Sequence, residues 1–214
     1  MLTKTKTTLL AAVAVSFFSC SSMKSGKSGN AWISLFDGKS LSGWRANKNG
    51  ESFKVEDGKI VVNGQTSHLF YDGPVNNHEF KNFEFKAQVM TFPSANSGIF
   101  IHTAYQPDGW PAKGYEVQVN NSQSDWRRTG SLYSIDDVKE VYVKDKVWYT
   151  EYVKVEGKHI VIKINDKTVV DYTEPESVSN SSATKKLSAG TFALQAHDPG
   201  SKVYFKDIYV KLLP

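Results

Sequence analysis

Gly114-Tyr115-Glu116-Val117-Gln118-Val119-Asn120 alternates apolar and polar side chains along its length. Such a period of two belongs to a β-strand with one buried face, because successive side chains leave opposite sides of the chain. Tyr115, Val117 and Val119 then face a core, and Glu116, Gln118 and Asn120 face away from it. The same period continues upstream, where Phe83, Phe85, Ala87 and Val89 alternate with Glu84, Lys86, Gln88 and Met90. Ile99 and Ile101 alternate with Phe100 and His102. Downstream lie Val147, Tyr149, Val153 and Val155, then Ile160, Ile162 and Ile164 beyond the turn Glu156-Gly157-Lys158. Asn165-Asp166-Lys167 turns into Thr168-Val169-Val170, and Asp198-Pro199-Gly200 separates Phe192-Leu194-Ala196 from the run Val203 to Leu212.

Turn signals recur about every ten residues and no amphipathic helix intervenes, the pattern of an all-β antiparallel sandwich or jelly roll. The Ser-rich stretch from Glu174 to Lys186 reads as a surface loop, with or without a short helical turn. Trp32, Phe36, Trp44, Phe53, Phe83 and Phe205 are expected in the core or packed at its edges. His68, His78 and His159 sit near turns or strand ends and are expected at the surface. Tyr105, Trp110 and Trp126 lie in polar Gly/Pro-containing loops, where they either stack on a sugar ring or pack the loop down.

The N-terminus has a different character. Lys4 and Lys6 precede the apolar run from Leu9 to Phe18, and Ser19-Cys20 follows. The run is too short to span a bilayer as a helix, which takes about 20 residues, but it has the layout of a secretory signal. Residues 1–19 are therefore expected to be a lipoprotein signal peptide, with Cys20 cleaved and acylated as a lipid anchor. Residues 20–30 are small and polar, a flexible tether, and residues 31–214 form one β domain. No acidic cluster follows Cys20, which favours a periplasm-facing anchor in the outer membrane of a bacterial envelope. Cys20 is the single cysteine, so no intramolecular disulfide can form. Losing two lysines with the signal takes the formal charge from +4 to +2. That balance argues against a nucleic-acid partner.

Chemistry gathers on the strand faces turned from the core. Glu116, Gln118 and Asn120 share one such face, Gln195 and His197 a second, and His102 a third. If the strands are neighbours, carboxylate, amide and imidazole groups converge in one cleft suited to hydroxyl-rich ligands. A solvated sheet face is polar in any case, so the pattern alone leaves a functional cleft and an ordinary outer face both open.

Several segments resemble the 3-keto-disaccharide hydrolase domain family. Ile33-Ser34-Leu35-Phe36-Asp37-Gly38-Lys39-Ser40-Leu41-Ser42-Gly43-Trp44 looks like its opening motif. Asn96-Ser97-Gly98-Ile99-Phe100, the Gly114–Val119 strand and Thr129-Gly130-Ser131-Leu132-Tyr133 are similar to its central signatures. Leu194-Gln195-Ala196-His197 and Val203-Tyr204-Phe205-Lys206-Asp207-Ile208 are similar to its ending. The resemblance implies a concanavalin A-like jelly roll of two antiparallel sheets acting on glycosides oxidised at carbon 3. Three departures stand out. His102 occupies a position where an arginine is common, Lys206-Asp207 replaces an Arg-Asn pair, and Asp198 follows His197 where glycine is common. A lysine or imidazole cannot reproduce the bidentate fork of a guanidinium.

The chemistry implied is loss of the C2 proton beside a 3-keto group, which needs a base, a donor for the enolate oxygen and an acid for the leaving group. His197 or Glu116 is the candidate base. His102, Gln118 and Gln195 are candidates to bind the carbonyl and hydroxyls, joined by Asn120, and Tyr133 and Arg128 are candidate donors. Trp110 and Trp126 are candidate stacking platforms. Glu116, His197 and Asp198 are candidate ligands for a divalent ion in place of the enolate donor. Implied partners are a 3-keto-glycoside, a bilayer reached through Cys20, and a sugar 3-dehydrogenase to supply the ketone. A non-catalytic carbohydrate-binding module or a structural lipoprotein on the same fold are the rival readings.

Overall fold

The computed structural model describes Met1 and residues 31–176, 178 and 185–214. The expected signal peptide, Cys20 and the tether lie outside the described residues, as does most of the Ser-rich loop.

Thirteen strands carry the fold, and the only helical pieces among the described residues are short 3-10 turns at Gly50–Ser52 and Val75–His78. The strands are β1 (Ile33–Ser34), β2 (Trp44–Ala46), β3 (Phe53–Glu56), β4 (Lys59–Asn63), β5 (Ser67–Tyr71), β6 (Phe83–Thr91) and β7 (Ser97–Thr103). They continue with β8 (Tyr115–Val119), β9 (Tyr149–Glu156), β10 (His159–Ile164), β11 (Lys167–Thr173), β12 (Thr191–Ala196) and β13 (Lys202–Leu212). An eight-stranded sheet runs β11-β10-β9-β6-β13-β4-β3, with β1 paired to β13. A five-stranded sheet runs β2-β5-β12-β7-β8. Every pairing is antiparallel.

Period two decides which sheet face is buried. Phe83, Phe85, Ala87 and Val89 of β6 are fully enclosed, as are Ile99 and Ile101 of β7 and Val117 and Val119 of β8. Phe192 of β12 bridges the sheets, with ring centroids 4.6, 4.9 and 4.7 Å from those of Phe80, Phe83 and Phe85. Trp44, Phe36, Phe53 and Phe205 join the core as expected. Trp32 instead lies at an edge, under the Lys86 ammonium 4.2 Å from its ring centre.

Two strands break the alternation. In β13 the buried residues are Val203 and Phe205, then Ile208 and Val210. Asp207 between them has a left-handed φ of 49°, where the pairing with β6 shifts by a residue. Such a bulge lets a long strand keep its apolar side inward while it bends. The second break, at His102, changes the site.

The enclosed Phe192 predicts a simple outcome. Phe192→Ala should lower unfolding stability by about 3–5 kcal/mol, the range for removing a buried aromatic ring, read from urea unfolding midpoints at constant m-value.

Candidate active site

Strands β5, β12, β7 and β8 lie side by side, so their outward residues form one floor. Gln195 of β12 is opposite His68 of β5, and Gly98 of β7 is opposite Gln118 of β8. Over this floor is a cleft of about 250 Å³ lined by Glu116, Gln118, Gln195, His197, Trp110 and Tyr133, with Asn96, Asp125 and Lys185 at its sides. Six of the expected residues therefore meet at one opening.

The Asn96-Ser97-Gly98 segment builds that floor. Asn96 Oδ1 accepts a hydrogen bond from Gln118 Nε2 at 3.2 Å. Ser97 Oγ donates to the Gln195 carbonyl at 2.6 Å, tying β7 to β12. Gly98 supplies empty space, because a Cβ there would overlap Glu116 Oε1. Glu116 folds across Gly98 and accepts from Gln195 Nε2 at 2.9 Å.

Burial raises the Glu116 carboxyl to about 7, with the Gln195 bond pulling weakly the other way. Removing a carboxylate from water disfavours its charge, so Glu116 holds its proton to higher pH than a solvated glutamate does. His197 sits just past the end of β12, and its Nδ1 lies 2.6 Å from Asp198 Oδ2. An ionised carboxylate only accepts, so Nδ1 carries the hydrogen and Nε2 keeps a lone pair. Asp198 is fixed in turn by Ser201 Oγ at 2.9 Å and Gly200 N at 2.8 Å. Burial opposes ionisation of Asp198, but these donors outweigh it and hold its carboxyl below the usual range.

Tyr133 arrives by a different route. Residues 128–133 run back along β8, with Gly130 N donating to Gln118 O, Gln118 N to Ser131 O, and Tyr133 N to Glu116 O. The Thr129–Tyr133 segment thus sets a phenol beside Glu116. Burial and the nearby Asp125 raise the Tyr133 hydroxyl above its ordinary value, so it stays a neutral donor.

Four expectations are corrected. His102 is not in the cleft: its left-handed φ of 53° sits where the β7–β12 register shifts. The bulge turns the imidazole to the Lys81 carbonyl, 2.9 Å from Nε2, and edge-on to Phe83. Burial lowers its pKa to about 4, so it is a neutral structural group. Asn120 and Arg128 staple the loop after β8 and are not among the side chains that line the cleft. Asn120 Nδ2 donates to the Asp125 and Arg127 carbonyls at 2.9 Å, and Arg128 Nη1 to Gln123 O at 2.8 Å. Trp126 stands outside the cleft lining, with Arg127 and Lys139 over its ring. A metal held by Glu116, His197 and Asp198 does not fit, since no three His, Cys, Asp or Glu side chains cluster for one among the described residues.

His68 is the residue that the sequence reading misplaced. It is 1% exposed on the cleft floor, where burial drops its pKa to about 4. Its surroundings of Phe70, Phe100 and Trp110 come from three separate segments. The one local signal was the outward parity of β5, blurred because all five of its residues are buried.

Glu116 binds a proton more tightly folded than unfolded, so its contribution favours the folded state at low pH. Stability should fall as pH rises from the ordinary glutamate range to about 7. Glu116→Gln should flatten that slope between pH 5 and 8 in urea unfolding, with the gain over wild type appearing at pH 8.

Comparisons with known proteins bear on the fold and the family. The chain is 26% identical to the 3-keto-disaccharide hydrolase of Bacteroides thetaiotaomicron over 231 aligned positions, covering 86% of this chain and 79% of that protein. A provisionally assigned glycosyl hydrolase from Parabacteroides distasonis superposes with a TM-score of 0.72 at 23% identity, covering 86% and 94% of the two chains. SCLam, a non-specific endo-beta-1,3(4)-glucanase of family GH16, superposes at 0.54 with 11% identity over 85% and 94%. These likenesses agree on a two-sheet fold shared with glycan-active proteins. The model of a 3-keto-alpha-glucoside-1,2-lyase-like domain matches residues 31–211, and the chain belongs to that family.

Proposed function

We propose that this domain cleaves glycosides oxidised at carbon 3 by first removing the proton from carbon 2. The observation that carries the reading is an imidazole held in one tautomer beside a carboxyl of near-neutral pKa, in a cleft with unsatisfied amide oxygens. Gln118 Oε1 and Gln195 Oε1 are buried without a hydrogen-bond partner. Unpaired buried acceptors cost free energy, and sugar hydroxyls are the donors that would relieve it. The family, and the printed name of the B. thetaiotaomicron relative, support a keto sugar in particular.

The chemistry uses this chain's own groups. A ketone at C3 acidifies the C2 hydrogen, and His197 Nε2 accepts it while Asp198 steadies the imidazolium. The electron pair moves to the C3 oxygen, where the neutral Tyr133 hydroxyl is the donor for the enolate. The enolate collapses to restore the ketone, a C1–C2 double bond forms and the C1–O bond breaks. The departing oxygen takes its proton from Glu116, which is recharged through solvent. Water added across C1 and C2 then gives the free 3-keto sugar, so elimination and hydrolysis share the first half. Ordinary glycosidases use two carboxyls at fixed spacing. Here the second carboxyl lining the cleft, Asp125, is paired with Arg127 at 3.4 Å. The ketone itself has to come from oxidation of a glycoside at C3.

The chain is further proposed to act from the bacterial envelope on the acylated Cys20, a reading that rests on the sequence of residues 1–30. In full-length protein made in a Gram-negative cell, Cys20→Ser should move the domain from the membrane to the soluble fraction. Continued membrane association would end the anchor.

The test of function is release of p-nitrophenol from p-nitrophenyl 3-keto-α-glucoside. Wild type should release it, and His197→Ala should lower kcat/KM about 10²- to 10⁴-fold. Glu116→Gln should cause such a loss on a 3-keto-disaccharide, whose sugar alkoxide, unlike nitrophenolate, needs a proton to depart. Because that acid must be protonated, the rate on the 3-keto-disaccharide should fall as pH passes above about 7. Binding of the glycoside without any release would reduce the domain to a binding module.

A further inference from the structure

Beneath Trp110 lies a polar group with nothing to bond. His68 is 1% exposed and neither ring nitrogen has a hydrogen-bond partner. Phe100 meets its ring edge-on at 5.2 Å, and the Trp110 indole covers it at 5.2 Å. The same indole lies 5.4 Å from the His197 ring. Trp110 is therefore wedged between two imidazoles, one of which is the proposed base, yet it remains 50% exposed on its outer side. The loop that carries it is held by side-chain contacts of Gln106 and by an ion pair between Lys48 and Asp108 at the surface. An exposed ion pair adds little to stability, so the cover is weakly held. A buried imidazole with both nitrogens unpaired is unfavourable, whereas a phenylalanine in the same seat would satisfy it.

We infer that the slot between His68 and His197, filled here by the Trp110 indole, is a subsite for the pyranose ring. The inference rests on the proposed function and identifies where that substrate sits. An indole and a pyranose cover similar areas, and departure of the indole exposes the His68 nitrogens to ring hydroxyls. Under the indole His68 is uncharged, because burial lowers its pKa to about 4, and a pyranose ring in the same slot would enclose it again. It therefore works as a hydrogen-bonding group that recognises hydroxyls in ground and transition states alike. Trp110 competes with the sugar for the slot, so closure reduces apparent affinity by the fraction of protein that is open.

The test is calorimetric binding of methyl 3-keto-α-glucopyranoside to the full domain, paired with turnover of the nitrophenyl glycoside. His68→Phe keeps the ring packing and removes both nitrogens. It should weaken binding about ten-fold, the effect of one lost buried hydrogen bond, with KM raised and kcat nearly kept. Trp110→Ala should bind at least as tightly as wild type. His68→Phe binding as wild type does, or Trp110→Ala weakened as much as His68→Phe, would overturn the subsite. The second result would make the indole a stacking platform on a closed slot. If His68→Phe fails to fold, the Trp110→Ala arm still decides. Wild-type protein that neither binds nor cleaves either glycoside would remove the proposed function along with the subsite.

Discussion

Two sheets packed apolar face to apolar face leave the outward residues of β5, β7, β8 and β12 no place except the far side of the five-stranded sheet. Everything chemical in this domain depends on that constraint. The interior is filled by Phe192 and its aromatic neighbours, which fix the parity of each strand. Once Val117 and Val119 are inside, Glu116 and Gln118 are outside. Two loops, one carrying Trp110 and one carrying Asp125 and Tyr133, then fold back over this face. Polar groups that water would have solvated are enclosed instead.

That enclosure tunes the groups. Glu116 is lifted to about 7 because it loses water and gains only one donor, Gln195. Gly98 makes the enclosure sterically possible by leaving room for the carboxyl against β7. Asp198 does the opposite work on His197: three donors keep it ionised, and its charge fixes the imidazole tautomer. Two titratable groups with opposed environments thus line one cleft, the kind of arrangement from which separate acid and base tasks can be built. Burial acts likewise in the core between the sheets, where Glu151 of β9, with neither oxygen partnered, is strongly inclined to hold its proton.

The departures from the family's pattern have different consequences. The bulge at His102, one of those departures, takes the imidazole out of the cleft to the Lys81 carbonyl. Asp198 adds the carboxylate that orients His197. Asn120 and Arg128 hold the loop from which Tyr133 approaches the cleft.

Much of this was legible in the chain itself. Period two in 83–90, 99–102 and 114–120 identified the strands and their inward faces, and the resemblance of the Asn96–Phe100 and Thr129–Tyr133 segments pointed to the family. Alternation is a local property, fixed by the geometry of an extended backbone, so a sequence can display it. What the chain alone could not reveal were contacts between segments far apart in number. His68 looked like a surface residue because its cover, Trp110, is forty-two positions away. His102 looked outward because a left-handed residue at a bulge leaves no mark in an apolar pattern. The sequence determined which side of each strand faces the core. Tertiary packing alone decided which outward residues lose their water, because that depends on where distant loops come to rest.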